Sequence, residues 1–284
     1  LGAWFPDIHA RTVTLVYLGG SQLTVFALVM LRGLRHSRVI ARWKLAPGMI
    51  FMLSFATLIL LGMLLLEMPR ASTPALGWVD ALFLSTSAVC VTGLSTVDPS
   101  QVLTPEGWFI LLGLIQLGGL GVITLTYFFA HFLAGGMTMR TRVQMRDFLS
   151  EDNLSRIGMV LGLVVTLTLA CEALGAVAIH ASLVGSAVAA EPGGLAFFSI
   201  FHSVSAFCNA GFSTLGAGLM DVRVQSQLSF LTVIMVLITI GGLGFPVLNN
   251  LGHMAVAGCA RLVGWRAAKP RCRAHTKLVL VTSA

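Results

Sequence analysis

The chain has 284 residues, of which 56% are hydrophobic and only 10% charged, with a net charge of +7. Soluble domains carry about 25% charged residues, so this composition excludes an ordinary soluble domain and indicates an integral membrane protein. Five cysteines without a C-x-x-C pair exclude zinc and thiol-redox motifs, and seven histidines without ligand spacing offer no metal site.

The predicted elements, in chain order, begin with an apolar run at 12–31, long enough to span a bilayer at about 20 residues per crossing. Leu1 opens the chain without the order of a signal peptide. Arg32, Arg35, Arg38, Arg42 and Lys44 follow, then a second span at 46–67 closed by Glu67-Met68-Pro69, since proline blocks helix continuation. Glu67, near the outer end of that span, reads as interfacial. A short apolar run at 81–91 cannot cross as a helix and is a re-entrant candidate, with Asp80 suited to the positive end of its dipole. Thr104-Pro105-Glu106 opens the third span, 107–133, with a capping threonine, a first-turn proline and an acid. Residues 137–157 are basic and amphipathic and read as a helix along the inner surface, or as a plain solvated loop. A fourth span at 157–180, a second short run at 196–208 and a fifth span at 226–250 complete the order. The final run, HTKLVLVTSA (275–284), reads as the start of a further element cut short, so the chain is expected to be a fragment.

Of the 18 Lys and Arg, 15 fall in three alternate loops, which the positive-inside rule makes cytoplasmic. The net charge is thereby assigned to topology and not to nucleic-acid binding. Both short runs then lie in outer loops.

The two short runs are copies of one another. ALFLSTSAVCVTGLST (81–96) and SIFHSVSAFCNAGFST (199–214) match at a shift of 118, which sets Ser87 on Ser205, Cys90 on Cys208 and Gly93 on Gly211. The spans that follow match too: IQLGGLGVITL (115–125) against ITIGGLGFPVL (238–248). Small residues let helix backbones approach closely, so packing against the short helix is the favoured role of these glycines, with a hinge as the other. GGLG is no nucleotide-binding loop, because no strand precedes it. A short helix that breaks at glycine within a membrane is how carbonyl-lined ion filters are built. Glycine allows the positive-φ backbone that aims carbonyls at a common axis, and the negative helix end favours cations. The expected fold is therefore an all-α polytopic membrane protein of two tandem helix–pore-loop–helix modules, potassium-channel-like, after one preceding transmembrane helix.

DALFLSTSAVCVTGLSTVD with LLGLIQLGGLGVIT, FHSVSAFCNAGFS with TIGGLGFPVL, and KLAPGMIFMLSF (44–55) resemble the Trk/Ktr/HKT superfamily of potassium transporters, most closely its bacterial pore subunits. The resemblance covers residues 44–284. Ahead of it, residues 1–43 read as an N-terminal transmembrane helix with a basic cytoplasmic loop, and the resemblance implies 44–135 as a first pore module. A cytoplasmic amphipathic linker at 136–156, a second module at 157–252, and a basic cytoplasmic loop leading into a third module at 253–284 follow. It implies four such modules around one pore, so that this chain supplies two of four filter strands of a plasma (inner) membrane potassium uptake protein. The filter residues it implies are Val91, Thr92 and Gly93 with Asn209, Ala210 and Gly211, and Cys90 and Cys208 as additional inner positions. Their backbone carbonyls would hold potassium, the substrate, without any cofactor in this chain. Gly93, where some plant relatives carry serine and favour sodium, leans towards potassium. The bilayer, a second copy of the full-length protein and a cytosolic nucleotide-binding regulatory subunit (TrkA/KtrA-like) are the implied partners, and an enzymatic role is not. The alternatives are a sodium-permeable or sodium-coupled cation transporter of the same architecture, and a secondary transporter with broken helices.

Among other residues, Glu172 inside the fourth span is a functional candidate or a structural polar pair between helices. His202 is expected to steady the filter by hydrogen bonding, with metal or proton chemistry as the alternative. Asn209 is expected to bond a neighbouring loop. Ser85, Thr86, Ser87, Ser203 and Ser205 are expected to satisfy local or interhelical partners.

Overall fold

The computed structural model describes residues 47–134, 151–186, 188, 194–244, 247, 248 and 250. The expected first span at 12–31 and most of the amphipathic segment at 137–157 lie outside them. The chain divides into two compact units, Leu1–Thr57 and Leu58–Ala284. In the first, the described part is the opening of helix α1 (Pro47–Leu66), with proline at its first position, where its missing N–H has no helical partner to lose. There the Thr57 hydroxyl donates to the Leu53 carbonyl at 2.7 Å and so hides its polarity within the helix.

Among the described residues of the second unit the regular elements are helices, with one isolated bridge, Ser72 with Leu103, in place of any sheet. After α1 come the short α2 (Trp78–Val89), a single turn α3 (Pro99–Val102) and the long α4 (Pro105–Ala134). Then come the long α5 (Glu151–Leu183), the short α6 (Gly194–Phe207) and α7 (Leu228–Gly242). The order long–short–long thus occurs twice.

Local chemistry sets these ends. Thr104 caps α4: its hydroxyl accepts from Gly107 N–H at 3.2 Å and its carbonyl from Trp108 N–H at 3.0 Å. Asp98 caps α3 by accepting from Ser100 N–H at 2.9 Å. The α1–α2 loop is pinned to the junction of α3 and α4 by Thr73 N–H to the Val102 carbonyl and Thr104 N–H to the Ala71 carbonyl. α5 starts at Glu151, six residues ahead of its apolar run.

Among the described residues, two helical stretches, Pro105–Val122 and Gly162–Leu183, are long and apolar enough to cross a membrane. Leu60, Leu174, Val177 and Met235 are more than half exposed. An apolar surface of this kind suits hydrocarbon better than water. The short helices are the opposite: nine of the 14 residues of α6 are buried. α6 is walled by α5 and α7 and also touches α4, while α2 packs on α4. Trp108 meets Phe201 edge-on at 5.1 Å and Phe109 lies 4.9 Å from Phe197, so aromatic pairs join α4 to α6.

The expected fifth span, 226–250, is interrupted. α7 stops at Gly242, and Gly244 takes φ 80, outside the helical range. The matching glycines of α4 stay helical. The second copy carries Pro246 where the first has Ile123, and proline disfavours helix for the residue before it.

Candidate functional site

The two short helices end in the same way. At the end of α2, Val91 N–H donates to the Ala88 carbonyl (3.2 Å) and Thr92 N–H to the Ser87 carbonyl (2.8 Å). At the end of α6, Asn209 N–H donates to the Ala206 carbonyl (3.0 Å) and Ala210 N–H to the Ser205 carbonyl (2.7 Å). This is the Schellman cap, which needs one left-handed residue just past the helix. Val91 (φ 56) and Asn209 (φ 59) fill that place, and each is followed two residues later by a left-handed glycine, Gly93 (φ 79) and Gly211 (φ 74). Asparagine tolerates this backbone; a β-branched valine is strained in it. Among the described residues, nothing donates to the carbonyls of Val91, Thr92, Gly93, Asn209, Ala210 or Gly211.

Serines tie each glycine segment back to its helix. Ser87 accepts from Leu94 N–H at 2.8 Å, whereas Ser205 donates to the Phe212 carbonyl at 2.7 Å. Leu94 and Phe212 are equivalent residues, one held by its N–H and the other by its carbonyl. Two further serines anchor the short helices to the incoming long ones: Ser85 donates to the Ile59 carbonyl and Ser203 to the Glu172 carbonyl, each at 2.7 Å. Glycines admit the short helices on both sides. A Cβ on Gly62 or Gly175 would strike Ser85 or Ser203, and one on Gly118 or Gly241 would strike the Val89 or Phe207 carbonyl oxygen. The packing role expected for the GGLG glycines is thereby supported at Gly118 and Gly241.

The segments meet each other. A Cβ on Gly93 would strike the Ala210 carbonyl oxygen and stand 3.1 Å from Gly211 Cα. Gly93 of the first segment therefore lies against Ala210 and Gly211 of the second, and each segment follows a capping cysteine. Cys90 is exposed; Cys208 is half-buried against Gly119. A cavity of about 190 Å³ opens behind the second segment, lined by His202, Asn209, Gly211 and Ile234 among others.

What holds the outer end of each segment differs. In the first, Thr96 donates to Asp80 Oδ1 at 2.6 Å, and Asp80 lies in the first turn of α2. In the second, His202 does this work. Its Nδ1 lies 2.9 Å from the Phe198 carbonyl, which can only accept, so Nδ1 carries the proton and Nε2 accepts from the Ser213 hydroxyl at 3.0 Å. The ring also stacks on Phe198 at 3.9 Å. Hydrogen bonding is the role expected of His202, and the bond to Ser213 ties α6 to the residue two places past Gly211. Asn209 departs from expectation: its amide turns back to the Phe207 carbonyl at 3.4 Å and not to a neighbouring loop, because the left-handed backbone aims the side chain at the helix end. Thr86 bonds locally to the Leu82 carbonyl. In the loop after the second segment, hydrogen bonds from the Arg223 side chain and its N–H hold the Asp221 carboxyl down at about 2.

Sequence reasoning missed Gln116. Its Nε2 donates to Glu172 Oε1 at 3.1 Å, and Cys208 Sγ lies 3.7 Å from the same oxygen. The signal available was a long amide in an otherwise apolar stretch of α4. Among the described residues, no three of His, Cys, Asp and Glu gather as for a metal.

Among the described residues, two copies of one long–short–long helical unit, with exposed apolar side chains and with carbonyls that no described group donates to at the ends of the short helices, define a helical protein of membrane character. A family model described as TrkH, cation transport protein, matches residues 48–253, and the chain belongs to that family. It is 34% identical over 225 residues to the Ktr system potassium uptake protein B of Bacillus subtilis, covering 77% of this chain and 48% of that protein. It is 33% identical over 212 residues to the potassium/sodium uptake protein NtpJ of Enterococcus hirae, covering 74% and 46%. With the Ktr system potassium uptake protein B of Vibrio alginolyticus it shares 31% identity over 234 residues, covering 82% and 48%. The chain thus spans about half the length of these relatives. The membership places it within the Trk/Ktr superfamily.

Proposed function

We propose that this chain supplies two of the four strands of a carbonyl-lined selectivity filter, and that the whole protein takes up potassium across the plasma membrane. Val91, Thr92 and Gly93 with Asn209, Ala210 and Gly211 offer the ion-binding carbonyls, and Cys90 and Cys208 flank them on the inner side. The observation that carries this reading is the paired set of carbonyls without donors, each behind a short helix ending in a left-handed cap and each including a left-handed glycine. Such carbonyls can replace the hydration shell of a cation, and both short helices turn their negative ends towards them. In this reading each long–short–long unit is a pore module, the bilayer surrounds α1, α4, α5 and α7, and potassium is the cargo with no cofactor. The same reading gives the full-length protein a second copy of itself and a cytosolic nucleotide-binding regulator as partners.

The test is uptake. The full-length protein, expressed in cells that lack their own potassium uptake, is expected to restore growth at low potassium and to carry rubidium. Absence of both would sink the proposal. A second reading, sodium permeation through the same site, is favoured by one relative named a potassium/sodium uptake protein. Sodium influx matching rubidium influx under equal gradients would select it.

A further inference from the structure

Glu172 is the one buried acid of the described core, 4% exposed in the middle of an apolar helix. The fold does not require an acid at this place. In the first copy the equivalent residue is Ile59, whose carbonyl receives Ser85 as the Glu172 carbonyl receives Ser203. An ionisable group kept at such a depth is costly and marks a role. Its Oε1 collects two donors from two other elements, Gln116 Nε2 on α4 and Cys208 Sγ at the end of α6. Cys208 immediately precedes Asn209, the left-handed residue that turns the chain into the second glycine segment. α6 is therefore held to Glu172 at two points, Ser203 through the backbone and Cys208 through the side chain. Gln116 ties both to the helix that follows the first segment. The first copy has no counterpart to this clamp: Cys90 is exposed and Ile59 offers no polar side chain.

We infer that Glu172 is a positioning residue that, through Cys208 and with Gln116 orienting it, sets the second glycine segment and so tunes which cation the site accepts. The inference rests on the filter reading above. A polar triad spanning three elements has one preferred geometry, and its members act as a unit.

The experiment uses the full-length protein and measures the concentration dependence of rubidium uptake, sodium competition and the amount of protein in the membrane. Glu172→Ile, which installs the residue of the first copy, and Gln116→Leu are expected to raise the apparent KM for rubidium about three- to thirtyfold, with maximal rate per protein changing less. Sodium should compete more strongly in both. Glu172→Gln keeps an acceptor for both donors and should stay within about twofold. The exchange Glu172→Gln with Gln116→Glu rebuilds one amide–carboxylate pair and should recover the KM lost in Gln116→Glu alone. Should Glu172→Ile fail to reach the membrane, Gln116→Leu and the exchange carry the test. Maximal rate falling with protein amount, at unchanged KM and sodium competition, would overturn the positioning role while leaving the filter reading intact. No rubidium uptake by the unaltered protein would overturn both.

Discussion

The two glycine segments, residues 90–94 and 208–212, follow one backbone path: the same Schellman cap, glycines at φ 79 and φ 74, and a serine tether to the residue after each glycine. Their surroundings share much less. The first is steadied by Asp80 on Thr96 at an exposed edge, with Cys90 open. The second is steadied by buried His202 on Ser213 and backed by Glu172 through Cys208. The difference separates what the chemistry of free carbonyls demands, which is repeated, from what merely supports it, which each copy has solved with other side chains.

The sharpest way to break this comparison is to place a methyl at each glycine. Gly93→Ala meets two obstacles, a left-handed φ and the Ala210 carbonyl oxygen; Gly211→Ala meets the φ alone, its nearest neighbour being Gly93 Cα at 3.6 Å. The φ penalty alone is about 1–2 kcal/mol. Rubidium uptake per protein is expected to fall about five- to thirtyfold in Gly211→Ala and below detection in Gly93→Ala. Equal losses would show that the asymmetry of contact does not matter.

Much of this was legible because it is local. Thr104, Pro105 and Glu106 marked the start of α4, Pro69 the end of α1, and a shift of 118 found both short helices with their glycines. The left-handed place of Asn209 agrees with residue type, but that of Val91 runs against it, and residue type alone does not encode it. The Gln116–Glu172 pair joins residues 56 apart, and no local pattern encodes such a contact. The end of α7 at Gly242, with Gly244 left-handed, was missed because the apolar run at 226–250 reads as one continuous span; Pro246 was the available signal.

A smaller effect tests the supports themselves. His202 is 3% exposed, bonded at both nitrogens and stacked on Phe198. His202→Leu, which installs the residue of the first copy, removes both bonds and leaves the Ser213 hydroxyl without this acceptor. The expected loss is about 1–3 kcal/mol, seen as a lower midpoint in thermal unfolding of the full-length protein in detergent. Asp80→Ala removes one bond to an exposed threonine and should cost about 0.5 kcal/mol or less. The reverse order would mean that the outer edge of the first segment, and not the buried histidine, steadies the pair.

Another small effect concerns the left-handed cap. Val91 holds φ 56 with a branched side chain, where the equivalent Asn209 sits at φ 59 with a type suited to it. The Asn209 amide adds little beyond that, since its bond to the Phe207 carbonyl is long at 3.4 Å. The benefit of asparagine is thus its tolerance of the backbone, and it should transfer. Val91→Asn is expected to raise stability by up to about 1 kcal/mol, and Asn209→Val to lower it by a similar amount. Both are readable as opposite shifts of the thermal midpoint. If Val91→Asn destabilised the protein instead, the valine side chain would have to make contacts that outweigh its backbone strain, and the first segment would be held by packing where the second is held by conformational preference.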